Sequence, residues 1–128
     1  MTHWALPLIG QPWTEERNCW WLVRTVFREQ LGIDLPLVNV RNGIPEEITA
    51  GIRESSRASG WRPTDSTNPQ EFDVVLMQGP LGKHIGVVIH ANGHFGLLHN
   101  LEDVGVTFQK FSEVQAIGYR NFEHWRHA

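Results

Sequence analysis

Over residues 19–31 the apolar side chains Cys19, Leu22, Val23, Val26, Phe27 and Leu31 recur at i, i+3, i+4, i+7, i+8 and i+12. That spacing predicts an amphipathic helix. Arg24, Arg28, Glu29 and Gln30 fall off the stripe, Asn18 suits the N-cap and Gly32 the C-terminal cap. A second helix is expected from Ile44-Pro45 to before Gly60. Pro45 fits a first turn, Glu46 and Glu47 favour the positive helix end, and Ile48 and Ile52 give a short apolar face. Residues 1–13, broken by Pro7, Gly10 and Pro12, read as an irregular lead-in, and residues 61–71 as a loop. The remainder reads as strands over 72–77, 85–89, 95–99, 104–109 and 116–122, with a Gly/Pro turn over 78–83. Asn92-Gly93 between the second and third strands is a strong hairpin signal. Helices first and an antiparallel meander after them make the class α+β.

With Asn92 and Gly93 at the centre of a two-residue turn, the hairpin register follows. His90 opposes Phe95, Val88 opposes Leu97, Gly86 opposes His99, and His84 opposes Leu101. Opposed residues share a face, so His84, Gly86, Val88 and His99 point the same way. His84 and His99 are then diagonal neighbours, with Cα atoms roughly 7–8 Å apart. Gly86 leaves room beside His99. A one-residue slip would separate the two rings onto opposite faces.

The chain has 128 residues, which suits a single domain with one core. Hydrophobic residues make up 41% and charged residues 20%, values that fit a globular domain, and residues 1–128 are read as one unit. The net charge is −3 and Lys and Arg form no run longer than two, so a nucleic-acid-binding face is not expected. No apolar stretch approaches the roughly 20 residues of a membrane span. Residues 1–10 lack the basic and apolar regions of a signal peptide, so synthesis and folding in the cytoplasm are expected. Six Trp are many for this length and are candidates for core filling or for lining a groove.

There is one cysteine, which rules out an internal disulfide and a four-thiolate zinc site. Cys19 follows the N-cap, where the positive helix end is expected to lower its pKa from about 8.5. His84 is the candidate base, His99 the group that orients it, and the helix-start N–H groups are available to an oxyanion. Each residue also has a bland explanation. Cys19 lies on the buried stripe, His84 is one of seven His, and His99 is satisfiable by the loop at Asn100. A zinc site from His84, His90, His94 and His99 lacks ligand spacing, and neither a metal nor a cofactor is expected.

The ordered set of motifs resembles a known family. Asn18-Cys19-Trp20-Trp21-Leu22-Val23-Arg24 resembles the nucleophile motif of the NlpC-type cysteine peptidases, in which an Asp-Cys pair opens a helix. Phe72-Asp73-Val74-Val75-Leu76 is similar to the family's Gly-Asp-aliphatic strand, and His84-Ile85-Gly86-Val87-Val88-Ile89 to the strand bearing its catalytic His. Leu97-Leu98-His99 resembles the strand of the third polar residue, and Gly10-Gln11-Pro12-Trp13 the Gly-x-Pro-Tyr stretch upstream of the Cys. The resemblance implies a small papain-like fold with its N-terminal helices on the sheet. It implies Cys19, His84 and His99 as the triad, with Asn18, Trp13, Trp20 and Trp21 around the substrate. The implied activity is cleavage of the peptide stem of peptidoglycan, often after γ-D-glutamate. The Cys-Trp-x-Leu-Val form resembles versions in phage and prophage tails, which implies tail-tip proteins as partners and the cell wall as the place of action. Asn18 stands for the usual Asp, Trp20 and Trp21 for small residues, and Trp13 for Tyr, so the family's grip on a free amino terminus does not carry over. A structural tail subunit that keeps the fold, and a thiol acyltransferase or amidase, are the alternatives.

Overall fold

A computed structural model describes residues 3–35, 60–80 and 82–127. Helix α1 spans Cys19–Val26, and its start is set by Asn18, whose Oδ1 accepts the Trp21 N–H at 3.0 Å. A π-helical turn over Phe27–Leu31 follows and closes on Gly32, which takes the left-handed conformation at φ 67°. The wider π turn rotates the end of the stripe. Phe27 stays buried but Leu31, expected on the apolar face, is 39% exposed. The helix expected from Ile44-Pro45 onward lies outside the described residues.

Six antiparallel strands form one sheet: β1 (Trp61–Pro63), β2 (Val74–Gly79), β3 (Gly82–Ala91), β4 (His94–Leu101), β5 (Gly105–Gln109) and β6 (Arg120–His127). Their order across the sheet is β1-β6-β2-β3-β4-β5. Helix α2, Phe111–Ala116, lies between β5 and β6. The class is a small α+β domain with one six-stranded sheet.

Several boundaries move from those expected, each for a local reason. Residues 61–63 are strand, not loop, because Trp61 is buried against Phe27 and His127, at ring distances of 5.6 and 4.9 Å. The first long strand begins at Val74 because Phe72 sits at φ 74°, outside the extended region. Gln78 and Lys83, expected in a turn, are cross-strand partners, as are Gly79 and Gly82. Residues 116–119 are not strand. The Lys110 N–H donates to the Glu113 carboxylate at 2.8 Å and starts α2, which buries Val114 on the sheet. The meander holds for β2 to β5, but β6 crosses to lie between β1 and β2. The free edge of β5 is already taken by the lead-in: Gly10 N–H donates to Val106 O at 2.9 Å and Val106 N–H to Gln11 O at 3.0 Å.

Both sheet faces are covered. On one, Trp20, Leu22, Val23 and Val26 of α1 pack on Val74, Leu76, Ile85, Val87, Ile89 and Leu98. On the other, Val75, Met77, Val88 and Leu97 pack with Val114, Phe111, Tyr119 and Phe122. The central strands are therefore apolar at consecutive positions rather than alternating. β6 is tied to the start of β2 by Arg126, whose guanidinium forks onto the Asp73 carboxylate at 2.7 and 2.9 Å. Asp73 is 1% exposed at its side chain and Arg126 21%. Asp73→Ala should therefore cost about 3 kcal/mol, by leaving the guanidinium and the Gln70 N–H without their acceptor. Urea unfolding checks this; a midpoint unchanged from the parent chain contradicts it.

Candidate active site

The expected hairpin register is the observed one. Val87 pairs with Leu98, Val88 with Leu97, His90 with Phe95 and Ala91 with His94. Asn92 (φ 53°) and Gly93 (φ 79°) form the turn with two positive φ angles that the dipeptide signals. The ladder between β3 and β4 stops at Val87–Leu98, so the expected pairings of Gly86 with His99 and of His84 with Leu101 do not form. Beyond that point β3 stays with β2 as far as Gly82, and β4 stays with β5 as far as Leu101. The sheet forks there, and the N-terminus of α1 sits at the fork. Asn100 Nδ2 donates to the carbonyls of Arg17 (2.8 Å) and Asn18 (3.3 Å), and the Ile85 N–H approaches the Cys19 sulfur. At the fork, Cys19 from the α1 layer and His84, which projects toward the other face, line the same pocket.

His84 Nε2 and His99 Nδ1 are 3.0 Å apart, with ring centroids at 5.2 Å. His99 Nε2 reaches Gln109 Oε1 at 2.9 Å. Gly86 still abuts His99: a Cβ placed there would lie 3.1 Å from His99 Cβ and 2.8 Å from Leu97 Cγ. The Tyr119 ring packs over both imidazoles, 5.0 Å from His84 and 6.1 Å from His99. It lies against Gly79, where a Cβ would meet its Cε1 at 2.3 Å.

Cys19 and His84 line one pocket, together with Trp13, Asn18, Asn100 and Tyr119; Lys83 and Glu102 also line it. It encloses about 410 Å³ of empty space, counting the part open to solvent. Of the residues expected around a substrate, Asn18 and Trp13 line the pocket and Trp20 and Trp21 do not. Trp20 is 2% exposed in the core, and Trp21 is half-buried under the Arg17 guanidinium, 5.5 Å from its ring. Both follow from the helix, which turns positions 20 and 21 away from its own tip. Trp125 belongs to the core, and Phe108, toward the opposite edge of the sheet from it, packs against the same core cluster. His90 and His94 lie at the exposed end of the hairpin, away from His84 and His99. Among the described residues no group of three or more His, Cys, Asp or Glu is placed to hold a metal, and no helix is long and apolar enough to cross a membrane.

The electrostatics reverse one expectation. Cys19 is 3% exposed, and burial pushes its thiol up to about 12, against the smaller pull of the Ile85, Trp20 and Cys19 N–H groups. The helix tip does not lower it, because desolvation of the thiolate outweighs those N–H groups. Burial, with His99 beside it, takes His84 down to about 3, and burial takes His99 down to about 4 against the Gln109 bond. At neutral pH the three groups rest as thiol and neutral imidazoles. Alkylation of Cys19 by iodoacetamide at pH 8 should accordingly run about 10³-fold slower than for free cysteine, because only the thiolate reacts. A rate equal to that of free cysteine contradicts this.

Sequence reasoning missed Tyr119, Asn100 and Gln109 as parts of the site. Gln109 was accessible in principle, since the diagonal rule that pairs His84 with His99 also applies between β4 and β5. Compared with protein-family models and with curated proteins, the chain finds no match in either.

Proposed function

We propose that this chain is a cysteine peptidase of the NlpC type on a papain-like scaffold, cutting stem-peptide bonds of peptidoglycan after γ-D-glutamate, as part of a phage or prophage tail tip. The observation that carries the reading is that His84, its Nε2 3.0 Å from His99 Nδ1, lines the same pocket as a cysteine at a helix N-terminus. His84 spends Nε2 on His99, so Nδ1 is the nitrogen left for the thiol. With substrate bound, Nδ1 takes the Cys19 proton as the sulfur attacks the scissile carbonyl carbon. N–H groups at the start of α1 receive the oxyanion. Collapse forms a thioester, and the leaving amine takes the proton from His84. Water, deprotonated by the same ring, then releases the acid and restores the thiol. The neutral resting state makes base and nucleophile act together rather than as a standing ion pair. The test is digestion of muropeptides followed by mass spectrometry, with Cys19→Ala as control; Cys19→Ala is expected to give no products, and full activity in that variant refutes the proposal.

A second reading, a structural tail subunit with the fold but little activity, is favoured by the burial of Cys19 and its raised pKa. It expects no digestion by the parent chain and assembly unaffected by Cys19→Ala.

A further inference from the structure

We infer that Gln109 is a positioning residue that sets the tautomers of His99 and His84, leaving a lone pair on His84 Nδ1. Its consequence for turnover rests on the peptidase reading; the tautomers themselves do not.

Register puts the three side chains in line. On β5, Thr107 opposes His99 and Gln109 opposes Leu97, so Gln109 is the diagonal neighbour of His99 on the same face. Gly96 pins it: a Cβ there would lie 2.7 Å from the Gln109 carbonyl oxygen, so only glycine lets the two backbones approach this closely. The Gln109 Oε1 that faces His99 Nε2 at 2.9 Å can only accept. His99 therefore carries its proton on Nε2. Its ring being neutral, Nδ1 is an acceptor, and the 3.0 Å contact requires His84 Nε2–H to donate to it. His84, neutral as well, then has no proton on Nδ1. One amide oxygen three strands' width from β2 thus decides, through two imidazoles, that the pocket-side nitrogen is a base and not a donor.

Burial of both rings favours the neutral forms on which this chain depends. The Tyr119 ring, packed over both imidazoles, restrains them from turning over.

The test uses the full chain, 15N-labelled, with long-range 1H–15N correlation of the histidine rings at pH 7. Signals are assigned by their loss in His84→Gln and His99→Gln. The parent chain is expected to show both rings as Nε2–H tautomers. Gln109→Met, which removes the acceptor at similar size, should shift His99 and His84 toward a mixture with Nδ1–H, and should lower kcat on muropeptides on the order of 10²-fold with KM little changed. Gln109→Glu, which can only accept, should keep Nε2–H in both rings. An Nδ1–H tautomer in either ring of the parent chain overturns the inference, as does a Gln109→Met spectrum identical to the parent's. Should Gln109→Met fail to fold, Gln109→Glu decides alone: retained Nε2–H supports the assignment and its loss overturns it. Spectra as expected from a parent chain that digests nothing would leave the tautomer assignment standing and remove the peptidase reading.

Discussion

Lowering the pH from 7.5 to 4.5 should strip roughly 5 kcal/mol from the folded state, at about 1.4 kcal/mol per pKa unit per group. His84 and His99 are held down to about 3 and about 4, against 6.5 for a free imidazole. Their folded values lie below their unfolded ones, so below about pH 6.5 the unfolded chain binds protons that the folded chain refuses. Stability from these rings is complete above that pH and falls as the pH drops, until the folded rings themselves titrate. At pH 4.5 two units of the interval have been crossed for each ring, which is about 2.7 kcal/mol apiece. His124, whose pKa is also lowered chiefly by burial, adds in the same direction. Set against a total stability of about 5–15 kcal/mol for a domain, this is enough to unfold the chain or leave it marginal. Urea unfolding at the two pH values measures it, and His84→Gln should remove about half of the difference. Equal midpoints at both pH values would show that the rings are not buried as neutral groups.

On the peptidase reading proposed above, replacing His84 with Gln should also reduce muropeptide hydrolysis by about 10³-fold at pH 7, within the usual range for loss of a general base. The size of the effect follows from the state of the nucleophile. A thiol pushed up to about 12 is ionised in about one molecule in 10⁵ at pH 7, so Cys19 depends on a base at the moment of attack. Gln can still meet His99 Nδ1 but cannot take a proton, which separates loss of chemistry from loss of the hydrogen bond. Kinetics on muropeptides, with the urea midpoint at pH 7 as a check on folding, make the measurement. Activity within a few-fold of the parent chain would remove His84 from the mechanism.

Local signals carried well where the cause is local. Asn18 capping α1, Gly32 ending the helical segment and Asn92-Gly93 making the hairpin turn depend on neighbours two to five positions away. The hairpin then transmits its register along the strand pair, which is why the contact between His84 and His99 was legible from turn chemistry and parity alone. Where partners are remote in sequence, reading the chain failed. β6 crosses the sheet because the lead-in already occupies β5, and residues 61–63 become a strand because β6 arrives beside them. Trp20 and Trp21 looked like groove residues beside a nucleophile until the direction of α1 put one in the core and the other on its flank.

The sequence by itself determined the α+β class, the capped helix that begins at Cys19, and the shared face of the two histidines, since these rest on periods and turns that a short stretch of chain encodes. Only the tertiary structure decided the fork between β3 and β4, the reach of Gln109, and the protonation of the site. Those depend on which strands stop pairing and on how much water is excluded around a sulfur and two rings. Desolvation is set by every element packed against a group, and here it overrode the helix-tip effect that position along the chain had suggested.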